Sequence, residues 1–238
     1  MNQIHTNIFN DIKKYRIFLQ ENICLYYLPY SASHSYLESM YREIIDLYPN
    51  LEYNTSSKIK LKQDEFILSR WLYNQVMKTE FNRKDSILEK NQDSSLVFPD
   101  CCRISLSHKK GDVLLGISST YPGVGVDIER EVKTSLSDRI LTQDEYVFFN
   151  NNSISDELIL GLIFSFKESI FKAFYPIVKK MLYFKEASVI DLDYKTHNIV
   201  ARIFFDHPGI KEDIVRGKYL VIKENSHTNI ITVAWIEN

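Results

Sequence analysis

Cysteine is scarce in this chain, and its placement excludes most of what cysteine does. Cys24, Cys101 and Cys102 are the three among 238 residues. An odd number, two of them adjacent, supports neither a disulfide framework nor zinc-ligand spacing, so a reducing cytoplasm is the expected setting. Glycine and proline number only 7 and 6, which excludes collagen-like and linker-rich architectures. Neither sign of charge dominates: 29 Lys and Arg stand against 31 Asp and Glu, and the net charge is −2. The chain as a whole lacks the basic footprint of a nucleic-acid binder. Long apolar runs are missing as well. The most apolar stretch, Leu158 to Phe166, is far too short to span a bilayer. Met1 to Asn10 lacks the basic start and apolar run of a signal peptide. Nor is there a P-loop or a G-x-S-x-G elbow, and Gly123-x-Gly125 lacks the third glycine of a dinucleotide fingerprint.

What is present is enough apolar material for a sizeable core: 45% of residues are hydrophobic and 13% aromatic. Asn22 to Tyr30 reads as a strand. Apolar spacing predicts helices over Ser35–Tyr48 and about Gln63–Lys78. Residues 82–101 read as an irregular loop, followed by strands Arg103–Ser107 and Asp112–Ser119 around a turn at Lys109-Lys110-Gly111. Tyr121-Pro122-Gly123 is the clearest break in the chain. A short strand, Val124–Ile128, comes next, and the capping-box pattern Thr142-Gln-Asp-Glu145 opens a short helix. A long helix covers about Ser155–Lys180. Strands are expected at Glu186–Tyr194, Asn198–Phe205, Lys218–Lys223 and Ile230–Ile236. Strands and helices mix in both halves, which makes the class α+β.

Three segments carry candidate chemistry. In Gly123-Val-Gly-Val-Asp-Ile-Glu129, the two-residue period of a strand puts Asp127 and Glu129 on one face. Two like charges there call for a cation or solvent, and a hard divalent ion suits carboxylate oxygens. A solvated strand end paired to Arg130 is the plainer alternative. The long helix is apolar nearly all round, yet it carries Lys167, Glu168 and Lys172 in its middle. Glu168 and Lys172 are four apart and share a face, either as an exposed ion pair or as a pair facing a cleft. Arg103-Ile-Ser-Leu-Ser-His-Lys109 leaves Ser107, His108 and Lys109 at a strand tip, where they suit a phosphate or are simply solvated. Lys58, Lys60, Lys62 and Arg70 add positive charge upstream.

In their order along the chain these pieces resemble the 4′-phosphopantetheinyl transferases. The likeness is nearest to the surfactin-synthetase-activating type and its enterobactin synthase component D-like branch. It rests on Phe98-Pro-Asp with Ser-Leu-Ser-His108, on Gly125-Val-Asp-Ile-Glu129, and on Phe164-Ser-Phe-Lys-Glu-Ser-Ile-Phe-Lys-Ala173 with Tyr175-Pro176 behind it. Lys62-Gln-Asp-Glu-Phe-Ile-Leu-Ser-Arg70 matches a fourth element loosely, with Ser69 in place of the usual glycine.

The resemblance implies a pseudo-twofold pair of α+β halves, residues 1–121 and 122–238, with the active site between them. It implies transfer of phosphopantetheine from coenzyme A to a serine of an apo acyl- or peptidyl-carrier protein, with release of adenosine 3′,5′-bisphosphate. Asp127, Glu129 and Glu168 would hold Mg²⁺, Glu168 would take the serine proton, and Lys172 would stabilise the leaving bisphosphate. Ser107, His108, Lys62 and Arg70 would bind the 3′-phosphate and its neighbours, with Lys109 a weaker candidate. The branch points to carriers of nonribosomal peptide and siderophore synthesis, with fatty-acid and polyketide carriers as the alternative. A monomer follows if one chain completes the site. The competing readings are another Mg²⁺-dependent phosphotransferase and a non-catalytic carrier- or nucleotide-binding module.

Overall fold

Two antiparallel sheets, each covered by one long helix, account for the strands of the computed structural model, which describes residues 12–49, 60–93, 95–97, 99–150, 154–204, 213–223 and 227–237. Met1–Asn10, Lys58, Phe98 and Phe205 of the expectations above lie outside the described residues. The first sheet is built from β1 (Arg16–Gln20), β2 (Ile23–Leu28), β3 (Arg103–Lys109) and β4 (Asp112–Ser118), in the order β1-β2-β4-β3. Helices α1 (Tyr30–Ser33), α2 (Leu37–Ile44) and α3 (Lys60–Phe81) lie between β2 and β3 in sequence. Tyr26, Leu28, Met40, Ile67, Trp71 and Leu115 form part of the core they share with the sheet.

The second sheet has β5 (Gly123–Arg130), β6 (Ala187–Asp193), β7 (Asn198–Ile203), β8 (Ile214–Lys223) and β9 (Thr228–Ile236), in the order β5-β9-β8-β7-β6. Helices α4 (Ser137–Ile140) and α5 (Asp156–Val178) precede β6. The two halves share one plan. A strand (β2 or β5) leads to a long helix (α3 or α5), and a later hairpin (β3–β4 or β8–β9) sends its last strand back to pair with the first. Architecture and class are therefore α+β, as expected.

A third core joins the sheets: Leu25, Tyr27 and Leu114 pack with Val124, Val126 and Val233. This explains why all seven positions of β4 are buried. One face of that strand meets the helix layer, and the other meets the second half. On β5 the period of two sends Val124, Val126 and Ile128 into this joint core and leaves Gly125, Asp127 and Glu129 on the opposite face. Helix α5 lies against that face. A Cβ on Gly125 would sit 1.9 Å from the Ser169 carbonyl oxygen, so the glycine is what lets α5 approach β5.

Ser155 caps α5 by accepting the Leu158 N–H, Asp156 and Glu157 favour its N-terminus, and Lys179 in the left-handed region ends it. Lys110 and Gly111, at φ 54° and 93°, form a two-residue turn between β3 and β4. Some expectations need correcting. β1 had no expectation in the sequence. The helix expected over Ser35–Tyr48 is α2 with a 3₁₀ turn at each end, His34–Tyr36 and Ile45–Leu47, and Gln143–Asn150 is 3₁₀. β8 starts at Ile214, because Val215, Gly217 and Tyr219 are buried while Arg216 points to solvent, so the strand reads as polar.

Candidate active site

Asp127 is the most constrained acid of the site. It is buried and accepts three hydrogen bonds, from Ser107 Oγ at 2.8 Å, Ser165 Oγ at 2.9 Å and Lys172 Nζ at 2.7 Å. These donors come from β3, from α5 and again from α5, so the carboxylate ties the first half to the second. Lys172 Nζ also donates to Ser107 Oγ at 3.0 Å and to the Val126 carbonyl at 3.2 Å. Beneath them Ser165 and Ser169 meet Thr232 Oγ1 at 2.9 and 2.7 Å. Thr232 is the register partner of Asp127 on β9.

The sequence suggested that Lys172 pairs with Glu168 on its own helix. Instead it reaches across to Asp127. The reason is desolvation. Asp127 lies deeper than Glu168, and a buried charge is the one that must have its counter-ion close. Glu168 stays near the other acids. Burial, and then the charges of Asp127 and Glu129, push its carboxyl above the ordinary range, while Lys172 opposes the shift. Glu129 forms an ion pair with Lys109, rather than with Arg130. Lys109 therefore stands on the acidic side of the site, away from the phosphate wall where the sequence put it.

The basic wall is built from α3, the β3–β4 hairpin and the long loop after α3. His108 Nδ1 lies 3.0 Å from Glu65 Oε2. Arg70 is buried, with its guanidinium 3.6 Å from the centre of the Phe66 ring and its Nη1 donating to Ser69 Oγ at 2.9 Å. Its Nε has no hydrogen-bond partner, and burial lowers its proton affinity. Lys90 is lowered likewise, by burial and then by Arg70. A cleft of about 570 Å³ opens between the halves here, lined by Lys90, Ile104, His108, Phe171, Lys172 and Met181, among others. Of the candidate residues, the cleft and the ground just beneath it gather Ser107, His108, Asp127 and Lys172. Lys62 is exposed on the first turn of α3 and is not among the residues lining the cleft.

Among the described residues, no three His, Cys, Asp or Glu side chains form a ready-made metal cage. The donor chemistry nevertheless fits a hard divalent cation. Glu168 senses the charges of the other two carboxylates, which raise its proton affinity. Lysines sit against two of these carboxylates: Lys172 against Asp127 and Lys109 against Glu129.

Lys167, the third charge of the helix, turns the other way. It is buried, donating to Glu145 Oε2 at 2.7 Å and to the Ile140 carbonyl at 2.8 Å. Glu145 is fully buried too, accepting the backbone N–H groups of Thr142 and Val189 at 2.7 Å each. This pair braces α5 against the following sheet. Glu65 and Ser165 lie within the quoted motifs but carried no role in the sequence reading, and Lys90 and Thr232 were not singled out at all. Lys90 sits in an irregular loop and Thr232 is a single hydroxyl without a spacing signal; only the fold brings them to the site.

Residues 123–217, less than half the chain, match the family model of the 4′-phosphopantetheinyl transferase superfamily. The matched stretch holds Asp127, Glu129, Glu168 and Lys172, while the basic wall lies ahead of it. No curated protein matches the sequence.

Proposed function

We propose that this protein transfers 4′-phosphopantetheine from coenzyme A to a serine hydroxyl of an apo carrier protein, releasing adenosine 3′,5′-bisphosphate. The observation that carries the proposal is Lys172 of the superfamily-matching segment, which lines a cleft together with His108 and Lys90 and donates to the buried Asp127. In this reading residues 1–121 bind the coenzyme A phosphates, and residues 122–238 hold the metal and move the proton.

Asp127, Glu129 and Glu168 would hold Mg²⁺. When bound, that ion supplies charge neutralisation at the pyrophosphate and polarisation of the attacked phosphorus. Glu168 accepts the proton of the carrier serine as its oxygen forms the new O–P bond. Its place beside two other acids and a proton affinity raised by burial suit a general base. Breaking the pyrophosphate P–O bond leaves negative charge on the departing bisphosphate. Lys172, which already bonds Ser107 and Asp127, is placed to meet that charge. His108, Ser107 and Arg70 hold coenzyme A phosphates. Lys62, outside the cleft, and Lys109, once released from Glu129, are second contacts at most. The carriers served are those of nonribosomal peptide and siderophore assembly, in the manner of the surfactin-activating and enterobactin component D-like branch. A monomer suffices, since one chain supplies both walls.

The test is incubation with coenzyme A, Mg²⁺ and a panel of apo peptidyl, aryl and acyl carriers, scored by intact mass. A gain of one phosphopantetheinyl group on a carrier is expected, strongest on peptidyl or aryl carriers. No gain on any carrier, with no binding of coenzyme A, overturns the proposal.

A further inference from the structure

Glu65 spends both carboxylate oxygens on one hairpin. Its Oε2 lies 3.0 Å from His108 Nδ1, and its Oε1 accepts the Gly111 N–H at 3.0 Å. His108 lies near the end of β3 and Gly111 in the tight turn that follows it, so the carboxylate ties the strand end to the turn. With Nδ1 engaged, the ring plane of His108 is set, and its second nitrogen is left for the cleft that the residue lines. Glu65 itself is largely buried, with 11% of its side chain exposed, while the imidazole it holds is half exposed toward the cleft.

The other charges around His108 all oppose its protonation. Arg70 faces it from α3, Lys90 from the loop after α3, and Lys172 from α5. Together with burial, which is the largest influence, they lower its proton affinity, and Glu65 acts in the opposite sense. Without Glu65 those three cations and burial would act on the ring unopposed. Glu65 offsets part of their effect, and a phosphate bound at the outer nitrogen would act in the same sense as Glu65, so that with the ligand in place the ring donates from both nitrogens.

We infer that Glu65 is a positioning residue for anion capture: it holds His108 with Nδ1 toward its own carboxylate, so that the outer ring nitrogen is presented to a phosphate of coenzyme A. This rests on the transferase reading above for the identity of the ligand. Glu65 touches neither substrate nor the reacting atoms and acts only through His108.

Glu65→Gln is the discriminating variant, because the amide oxygen still accepts from Gly111 while the charge is gone. Coenzyme A affinity measured by calorimetry at neutral pH should weaken about five- to tenfold, the difference between a charge-assisted and a neutral hydrogen bond. The imidazole ¹⁵N resonances of His108 should titrate at lower pH than in the wild type. In a His108→Asn background the same substitution should cost no further affinity, since the residue it acts through is absent. Equal losses with and without His108, or an unchanged titration, would reduce Glu65 to a brace for the turn and overturn the inference. Should Glu65→Gln fail to fold, the wild type decides. Saturated with coenzyme A, both His108 ring nitrogens should carry protons, and a bare Nδ1 overturns the assignment. Failure of the wild type to bind coenzyme A at all is a different result. It would remove the transferase reading itself and with it the ligand named here.

Discussion

Lys172 Nζ stands 2.7 Å from Asp127 Oδ1, bridging α5 to β5. The contact joins two motifs that are 45 residues apart in sequence. It also puts the one cation of this motif helix that faces the cleft at the boundary between the acids and the basic wall.

Removing that cation tests its role. Lys172→Ala should slow phosphopantetheine transfer by about 100- to 1,000-fold, the usual cost of losing one preorganised electrostatic stabiliser. Mg²⁺ affinity should hold or rise, because Asp127 loses its competing partner. Single-turnover kinetics and Mg²⁺ calorimetry on the variant, with circular dichroism as a check on folding, separate the two effects. A folded variant with near-normal transfer would make the Asp127–Lys172 pair structural only.

Glu168 gives a pH signature. Its carboxyl is held above the ordinary value of 4.5, first by burial and then by Asp127 and Glu129. Between the unfolded and folded values the native state binds more protons, so stability falls as pH rises across that window. Metal-free protein should therefore lose Tm as pH climbs from about 4.5 toward neutrality through this group, a loss that Glu168→Gln should remove and Mg²⁺ should offset. Parallel thermal melts of wild type and variant isolate the contribution. Identical pH profiles would mean Glu168 is not strained by its neighbours. The same variant, unable to accept a proton, should lose the chemical step.

Lys109 occupies Glu129 in the manner of an internal counter-ion. A divalent ion must displace it, so Lys109→Met should tighten Mg²⁺ binding several-fold while leaving the fold intact, by the few-tenths to 1 kcal/mol such a part-exposed pair contributes, roughly. Calorimetric titration reads this directly, and weaker Mg²⁺ binding in Lys109→Met would argue that the lysine supports the site instead.

The buried Lys167–Glu145 pair should behave differently from the cleft residues. Lys167→Met alone leaves a fully buried carboxylate without its cation and should cost about 3 to 5 kcal/mol of stability. The double change Lys167→Met with Glu145→Gln should recover part of it, because the amide oxygen still accepts from Val189 while the bond from the Thr142 N–H is lost. Urea unfolding of the two variants gives the comparison. If the double variant were as unstable as the single one, packing rather than charge would be the cause.

How much of this could be read along the chain depends on the range of the forces involved. The alternation of Val124, Val126 and Ile128 with Gly125, Asp127 and Glu129 is a property of three consecutive turns of the pleat, so the strand and its two faces are legible in the residue order alone. The apolar run of α5 and the turn at Lys110-Gly111 are legible for the same reason. What the sequence could not determine is which charges neutralise which. Lys172 was free by spacing to meet Glu168, yet it meets Asp127. Lys109 meets Glu129 instead of the cleft, and Lys167 is sealed against Glu145. Those choices are made by desolvation and by distances across the joint between the two sheets, where burial ranks the carboxylates by how much each needs a partner. Local spacing sets what a residue can reach; only the tertiary structure sets what it must pair with, because the low-dielectric interior exists only once both halves have packed.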